Sequence, residues 1–148
     1  MTVKCSAVAL IKMVMHAKKS LAPKAEDDLE AGGYLLGHVE NDIIYVVDAV
    51  PVLLDDCSNV HVDMGQVALT HLSAHEDANG KCGGAVSRLG WFHSHPGFGV
   101  WLSGTDVKTQ RIFQQMYNPC GVAIVVDPKR SMSAGKVEIG AFRTYGVG

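Results

Sequence analysis

"GWFHSHPGFGVWLSGTD", residues 90–106, sets two histidines about one serine, follows them with a proline, and ends on an aspartate. In an extended strand alternate side chains share a face, so His93 and His95 point the same way while Ser94 points away. Two imidazoles on one face can ligate one ion. The glycines of "PGFGVWLSG", residues 96–104, allow the bends that turn the chain back. Asp106 then falls at the start of a helix, where its carboxylate can return to the same ion as a third ligand. Two histidines and one carboxylate leave a fourth tetrahedral position open for water, which separates a catalytic zinc from a closed structural one.

Outward from this stretch the pattern alternates between strand and helix. "VSRLGWFHSH", residues 86–95, reads as the strand that carries both histidines. "TDVKTQRIFQQMYN" places Ile112, Phe113, Met116 and Tyr117 on one helical face. "GVAIVVDP" is an apolar run of the kind found in a buried central strand. "SAGKVEIGAFRTY" gives a turn at Ala134 and Gly135 and an alternating strand after it. Upstream, residues 6–19 set Ala7, Leu10, Ile11, Val14 and Met15 at helical spacing, with Lys12, Lys18 and Lys19 mostly off that stripe. "SLAPKAEDDLE" is a polar loop that delivers the chain to Glu30. "GGYLLGHV" and "ENDIIYVVDAVPV" read as two strands joined by a turn at residues 40–42. Residues 63–76 have a helical pattern, and "EDANGKCGG" after them is a glycine-rich tip. The expectation is one mixed α/β domain over 1–148, built on one sheet with helices around it.

Composition narrows the function. A hydrophobic fraction of 47% and a charged fraction of 19% are those of an ordinary globular protein. The net charge of −2, with no basic block at either end, argues against nucleic acid or an anionic membrane as partner. No apolar run reaches the roughly 18 residues needed to cross a bilayer. The N-terminal "CSAVALIKMVMHAKK" is broken by Lys12 and lacks a cleavage pattern, so it reads as a mature helix and not a signal peptide. Cys5, Cys57, Cys82 and Cys120 lie far apart and form no CxxC pair, which excludes a zinc ribbon or thioredoxin-type motif. Thiols so placed read as reduced and mostly buried, in a cytoplasmic or nuclear setting.

Seven residues separate His95 from Ser103, and two more precede Asp106. With Pro96 directly after the second histidine, this run resembles the JAMM motif of the MPN-domain zinc metalloproteases. That family also carries an upstream glutamate three residues before one glycine and seven before another. "EAGGYLLG" supplies Glu30, Gly33 and Gly37 at those offsets. The likeness extends over nearly the whole chain, through "LIKMVMHA" and "SAGKVEIGAFRTY". It implies an MPN (JAB/JAMM) fold, a mixed and mostly antiparallel sheet flanked by helices, similar to the cytidine-deaminase-like fold. It also implies an insertion over about 62–88 beside the groove, whose tip has the composition of a lid or docking loop. The loop before Glu30 is longer than the family leads one to expect. None of the C-terminal assembly helices of the family's complex-bound members is expected in this chain.

The resemblance assigns roles residue by residue. His93, His95 and Asp106 would hold one zinc with its water, whose pKa falls toward neutrality. Glu30 would take the proton of that water and pass it to the leaving amine. Ser103 would steady the oxyanion, although serine is also a favoured helix cap. Pro96 would stiffen the exit from the strand, and Trp101 and Leu102 would shape the loop and groove. The implied substrate is the isopeptide bond between the C-terminal glycine of ubiquitin, or a ubiquitin-like modifier, and a lysine. Implied partners are such conjugates and a second MPN subunit or a larger complex.

Three other readings compete. A non-catalytic MPN scaffold typically lacks the ligand set that is complete here. A cysteine protease needs a nucleophile signature that none of the four cysteines carries. A zinc deaminase needs HxE and PCxxC, whereas this chain has HSH and one cysteine after Pro119. His71 and His75 stand at a spacing that can bind metal, but no HExxH glutamate accompanies them.

Overall fold

A computed structural model describes residues 1–21, 30–52 and 86–145 of the 148-residue chain. In chain order they form β1 (Thr2–Cys5), α1 (Ala7–Lys19), β2 (Gly32–Glu40), β3 (Ile43–Pro51) and β4 (Ser87–Ser94). Then come α2 (Gly104–Met116), β5 (Val122–Asp127), α3 (Pro128–Ala134) and β6 (Glu138–Phe142). The strands make one six-stranded sheet in the order β1-β3-β2-β4-β5-β6. The pairs β2–β3, β2–β4 and β5–β6 are antiparallel, while β1–β3 and β4–β5 are parallel. The sheet is therefore mixed and mostly antiparallel, with helices around it, as expected.

Local chemistry explains most boundaries. β2 and β3 join through Asn41 and Asp42, both left-handed at φ 51° and 62°, the two-residue turn whose twist suits a hairpin. α1 begins at Ser6, whose hydroxyl accepts from the Ala9 N–H at 3.1 Å. The glycines of the upstream motif have a steric reason. A Cβ on Gly37 would sit 1.8 Å from the Tyr45 carbonyl oxygen, and one on Gly33 would sit 2.2 Å from that of Val50. Only glycine lets β2 approach β3 so closely.

The core lies between α1 and one face of the sheet. Ala9, Met13 and Ala17 pack with Leu35, Ile44, Val46, Leu89, Phe92, Val122, Ile124 and Val126. On the other face Trp91, Phe113 and Ala123 form a second cluster, with Leu102 against it. β5 is buried along its whole length because helices cover it on both sides, which accounts for its unbroken apolar run. It is next to the edge strand β6 and not at the centre of the sheet.

Both helical stripes read from periodicity need correction. On α1 the buried line is Ala9, Met13 and Ala17, while Ile11 and Met15 are more than half exposed. Two alanines let the helix settle close to the sheet, and closeness outweighs the size of the neighbouring apolar side chains. On α2 only Phe113 of the expected four is buried; Ile112, Met116 and Tyr117 face outward. Polar Asp106 and Gln110 take the inner positions instead, because both have partners there. Two elements had no sequence reading, β1 and α3. The thiols are less hidden than expected, with Cys5 exposed and Cys120 half-buried. The helix expected over 63–76, the glycine-rich tip, and His71 and His75 lie outside the described residues. Of the insertion expected over about 62–88, Ser87 and Arg88 stand in β4.

Candidate metal centre

β4 runs antiparallel to β2 with His93 opposite Gly32, and parallel to β5 with His93 beside Val125. This sandwich fixes the strand that carries the histidines. His95 lies one residue beyond β4, yet its N–H still donates to the Val126 carbonyl at 2.9 Å, so the pleat continues and both rings share a face. The Nε2 atoms of His93 and His95 lie 2.9 Å apart. The Oδ2 of Asp106 is 3.1 Å from the first and 3.4 Å from the second. All three side chains are buried.

Three donor atoms so close together fit a cation. Ligands about 2.0–2.1 Å from a tetrahedral ion lie roughly 3.3 Å from one another, near the separations found here. The Nδ1 of His95 lies 3.2 Å from the Gly99 carbonyl oxygen, which can only accept. Neutral His95 therefore carries its proton on Nδ1 and turns the Nε2 lone pair toward the cluster. Lone pairs and a carboxylate gathered in a buried space repel unless a proton or a metal ion stands among them. Two imidazoles and one carboxylate suit zinc better than magnesium or calcium, which prefer oxygen.

Electrostatics separates the two rings. Burial pushes the His93 pKa down, and Asp106 only partly offsets it. For His95 burial works in the same direction, but its bond to Asp106 and the charges of Asp106 and Glu30 win and raise its pKa. The His93 ring also stacks on Trp91, with centroids 4.8 Å apart and planes 14° from parallel. The Trp91 indole N–H donates to Gln110 Oε1 at 2.8 Å, and the Gln110 amide donates to Gln114 and to the Gly121 carbonyl. A buried glutamine is costly without partners, and here it is held on several sides.

Asp106 reaches the cluster through a capping box. Its N–H donates to Ser103 Oγ at 3.2 Å, and the Ser103 N–H donates to Asp106 Oδ2 at 2.9 Å. Ser103 is thus the N-cap of α2. Its hydroxyl accepts in that bond, and its own proton is not used by it.

Glu30, His95, Phe98, Trp101, Ser103 and Asp106 line one open pocket of about 240 Å³. Glu30 arrives there because the next residue is clasped to β4: the Ala31 N–H donates to Ser94 Oγ at 2.8 Å, and the Ser94 N–H donates to the Ala31 carbonyl at 2.8 Å. Trp101 is half exposed at the pocket wall, its indole N–H donating to the Phe98 carbonyl at 2.8 Å and its ring 5.2 Å from that of His95. Leu102 packs instead against the Trp91 cluster, and Pro96, two residues past the end of β4, is buried. Neither Cys5 nor Cys120 lines the pocket. Ser94, Trp91 and Asp127, which touch the site or its loop, and Gln110, which holds Trp91, escaped the sequence reading. The only signal for Ser94 was that a small hydroxyl between two same-face histidines must point to the other side.

The family profile described as "JAB1/Mov34/MPN/PAD-1 ubiquitin protease" matches residues 1–119. COP9 signalosome complex subunit 5 of Dictyostelium discoideum is 45% identical over 148 residues, covering 99% of this chain and 42% of the relative. Subunit 5 of Drosophila melanogaster is 44% identical over 146 residues, and covers 99% and 42%. Subunit 5b of Arabidopsis thaliana is 42% identical over 146 residues, and covers 99% and 38%. The chain thus spans about two fifths of the length of these curated relatives. Among solved structures, protein DSY2949 of Desulfitobacterium hafniense is similar with a TM-score of 0.59 at 20% identity, covering 95% of this chain and 83% of that one. At that identity the likeness speaks for the fold alone.

Proposed function

The chain belongs to the JAB1/Mov34/MPN/PAD-1 family, and from that premise we propose that it is a zinc-dependent isopeptidase. Its substrate is the bond between the C-terminal glycine of ubiquitin, or a ubiquitin-like modifier, and a substrate lysine. The observation that carries this reading is the buried group of His93, His95 and Asp106, of which His95 and Asp106 line one pocket with Glu30 and Ser103.

His93, His95 and Asp106 would hold the zinc. When bound, zinc supplies the Lewis acidity that makes a water nucleophilic near neutral pH. The Glu30 carboxylate takes one proton from the attacking water as the new C–O bond forms. It returns that proton to the lysine nitrogen as the C–N bond breaks. Ser103 donates its hydroxyl proton as a hydrogen bond to the carbonyl oxygen while charge builds there. Asp106 has a double duty, since the same oxygen that faces the histidines also accepts the Ser103 N–H. Pro96 and Trp101 shape the loop along which an extended modifier tail would lie.

Relatives named as COP9 signalosome subunits support a place in a similar assembly, in the cytoplasm or nucleus, with another MPN-domain protein as partner. No helix among the described residues is long and apolar enough to cross a membrane.

Cleavage of a panel of ubiquitin and ubiquitin-like fusions by the purified chain tests the reading, with zinc content measured alongside. We expect cleavage of at least one fusion, lost on chelation and restored by zinc. Zinc-loaded, folded protein that cleaves no fusion, alone or with an MPN partner, would favour the non-catalytic scaffold.

A further inference from the structure

We infer that Asp127 is a positioning residue for the metal centre, holding His95 in its ligating orientation through the Gly97–Gly99 loop; this rests on the metal-site reading above. Asp127 ends β5 and is fully buried. Its Oδ1 accepts from the N–H groups of Lys129 at 3.1 Å and Arg130 at 3.0 Å, which caps α3. The same oxygen accepts from the Gly97 N–H at 2.9 Å, and Oδ2 accepts from the Gly99 N–H at 2.8 Å. Arg130 Nε lies 3.4 Å from Oδ2, but that side chain is mostly exposed and contributes little.

Capping a seven-residue helix needs one acceptor, and an exposed serine or aspartate serves. Burying a carboxylate is far costlier, and its second oxygen is spent on the loop. That loop needs fastening: Gly97 and Gly99 are both left-handed, at φ 80° and 83°. Gly99 presents to the Asp127 carboxylate its N–H and to His95 Nδ1 its carbonyl. A closed circuit results. The Val126 carbonyl holds the His95 backbone, Asp127 holds Gly99, and Gly99 holds the His95 ring with its Nε2 toward the cluster. Hydrogen-bond partners of metal-bound histidines tune affinity in this way, typically by 10–100-fold.

Asp127→Asn separates capping from positioning. The Asn carbonyl oxygen can keep the bonds to Lys129, Arg130 and Gly97, and asparagine is itself a good N-cap. Its amide nitrogen then faces the Gly99 N–H and cannot accept. We expect a folded protein with cooperative melting whose zinc Kd, measured by chelator competition, rises about 10–100-fold. The ¹⁵N signals of His95 in metal-free protein at pH 8 should change from a fixed Nδ1–H form to a mixture. Asp127→Ser, which caps but cannot reach the loop, should do the same and serves if Asp127→Asn fails to fold. Gly135→Ala strains the left-handed C-cap of α3, at φ 68°, without touching the loop. It should lower Tm and leave the zinc Kd unchanged.

Wild-type zinc affinity and an unchanged His95 spectrum in folded Asp127→Asn overturn the inference. So does an equal loss of affinity in Gly135→Ala, which would mark a general loss of stability. Failure of the wild-type chain to take up zinc defeats the functional reading instead, and the His95 spectrum of the metal-free variants still decides the role of Asp127.

Discussion

Ser94 and Ala31 bind each other twice, Ala31 N–H to Ser94 Oγ and Ser94 N–H to Ala31 carbonyl, both at 2.8 Å. The serine between the two histidines thereby ties the metal strand to the residue next to Glu30. Ser94→Ala keeps the backbone half of the clasp and strands a buried N–H, at a cost of about 1–3 kcal/mol. Zinc content should stay at the wild-type level while kcat falls, because Glu30 loses its anchor. A Ser94→Ala protein with lowered Tm and unchanged kcat would show that the clasp serves only stability.

Substitutions within the pocket should separate binding from chemistry in a fixed order. Glu30→Gln keeps size and hydrogen bonding but cannot take a proton, so zinc stays and turnover collapses. His95→Ala removes a ligand, so zinc is lost or bound far more weakly. Ser103→Ala loses the cap, about 1 kcal/mol of stability, and also the oxyanion donor, about 10²–10³ in kcat. Metal analysis, Tm and kcat on the same preparations check all three. Metal loss in Glu30→Gln would make Glu30 a ligand, and wild-type kcat in Ser103→Ala would leave Ser103 a cap alone.

Acid should release the metal through His95 first. Its pKa is raised, with Asp106 and Glu30 outweighing burial, so protons compete for its Nε2 at a higher pH than for an ordinary imidazole. His93, pushed down by burial, is protonated later. The zinc Kd should weaken as pH falls from about 7. Glu30→Gln removes one of the charges that raise His95, so the onset should move to lower pH. Zinc titrations at several pH values in both proteins decide this.

Asp127 gives the fold its own pH dependence. Burial alone would push its carboxyl up, but the N–H groups of Arg130, Gly97, Gly99 and Lys129 outweigh it and hold the pKa below its ordinary value. A carboxyl lowered in the folded state stabilises above its unfolded pKa, and that stability goes as pH falls through the folded one. The Tm gap between wild type and Asp127→Asn should be full at pH 7 and close below about pH 4. A gap that stays constant down to pH 2 would mean that the charge of Asp127 adds nothing.

The sequence by itself determined which residues stand as the candidate metal ligands, His93, His95 and Asp106, and most of the strand order along the chain. His93 and His95 share a face because a strand has period two, and Asp106 follows a loop of known reach. The turn at residues 40–42, the β5 run and the close-approach glycines of β2 are local facts, legible from residue type and spacing. Which stripe of a helix faces inward is not local. On α1 the sheet selects Ala9, Met13 and Ala17 over the larger Ile11 and Met15, because small side chains admit the closest approach. On α2 it selects Asp106 and Gln110, because Trp91 and the histidines across the interface supply partners that a periodicity argument cannot see. Ser94 and Asp127 are of the same kind. Each looked like an ordinary polar residue until folding brought Ala31, 63 positions away, and Gly99, 28 positions away, within hydrogen-bond reach. Spacing along the chain encodes which groups can do chemistry; only the packed sheet decides which groups hold them still.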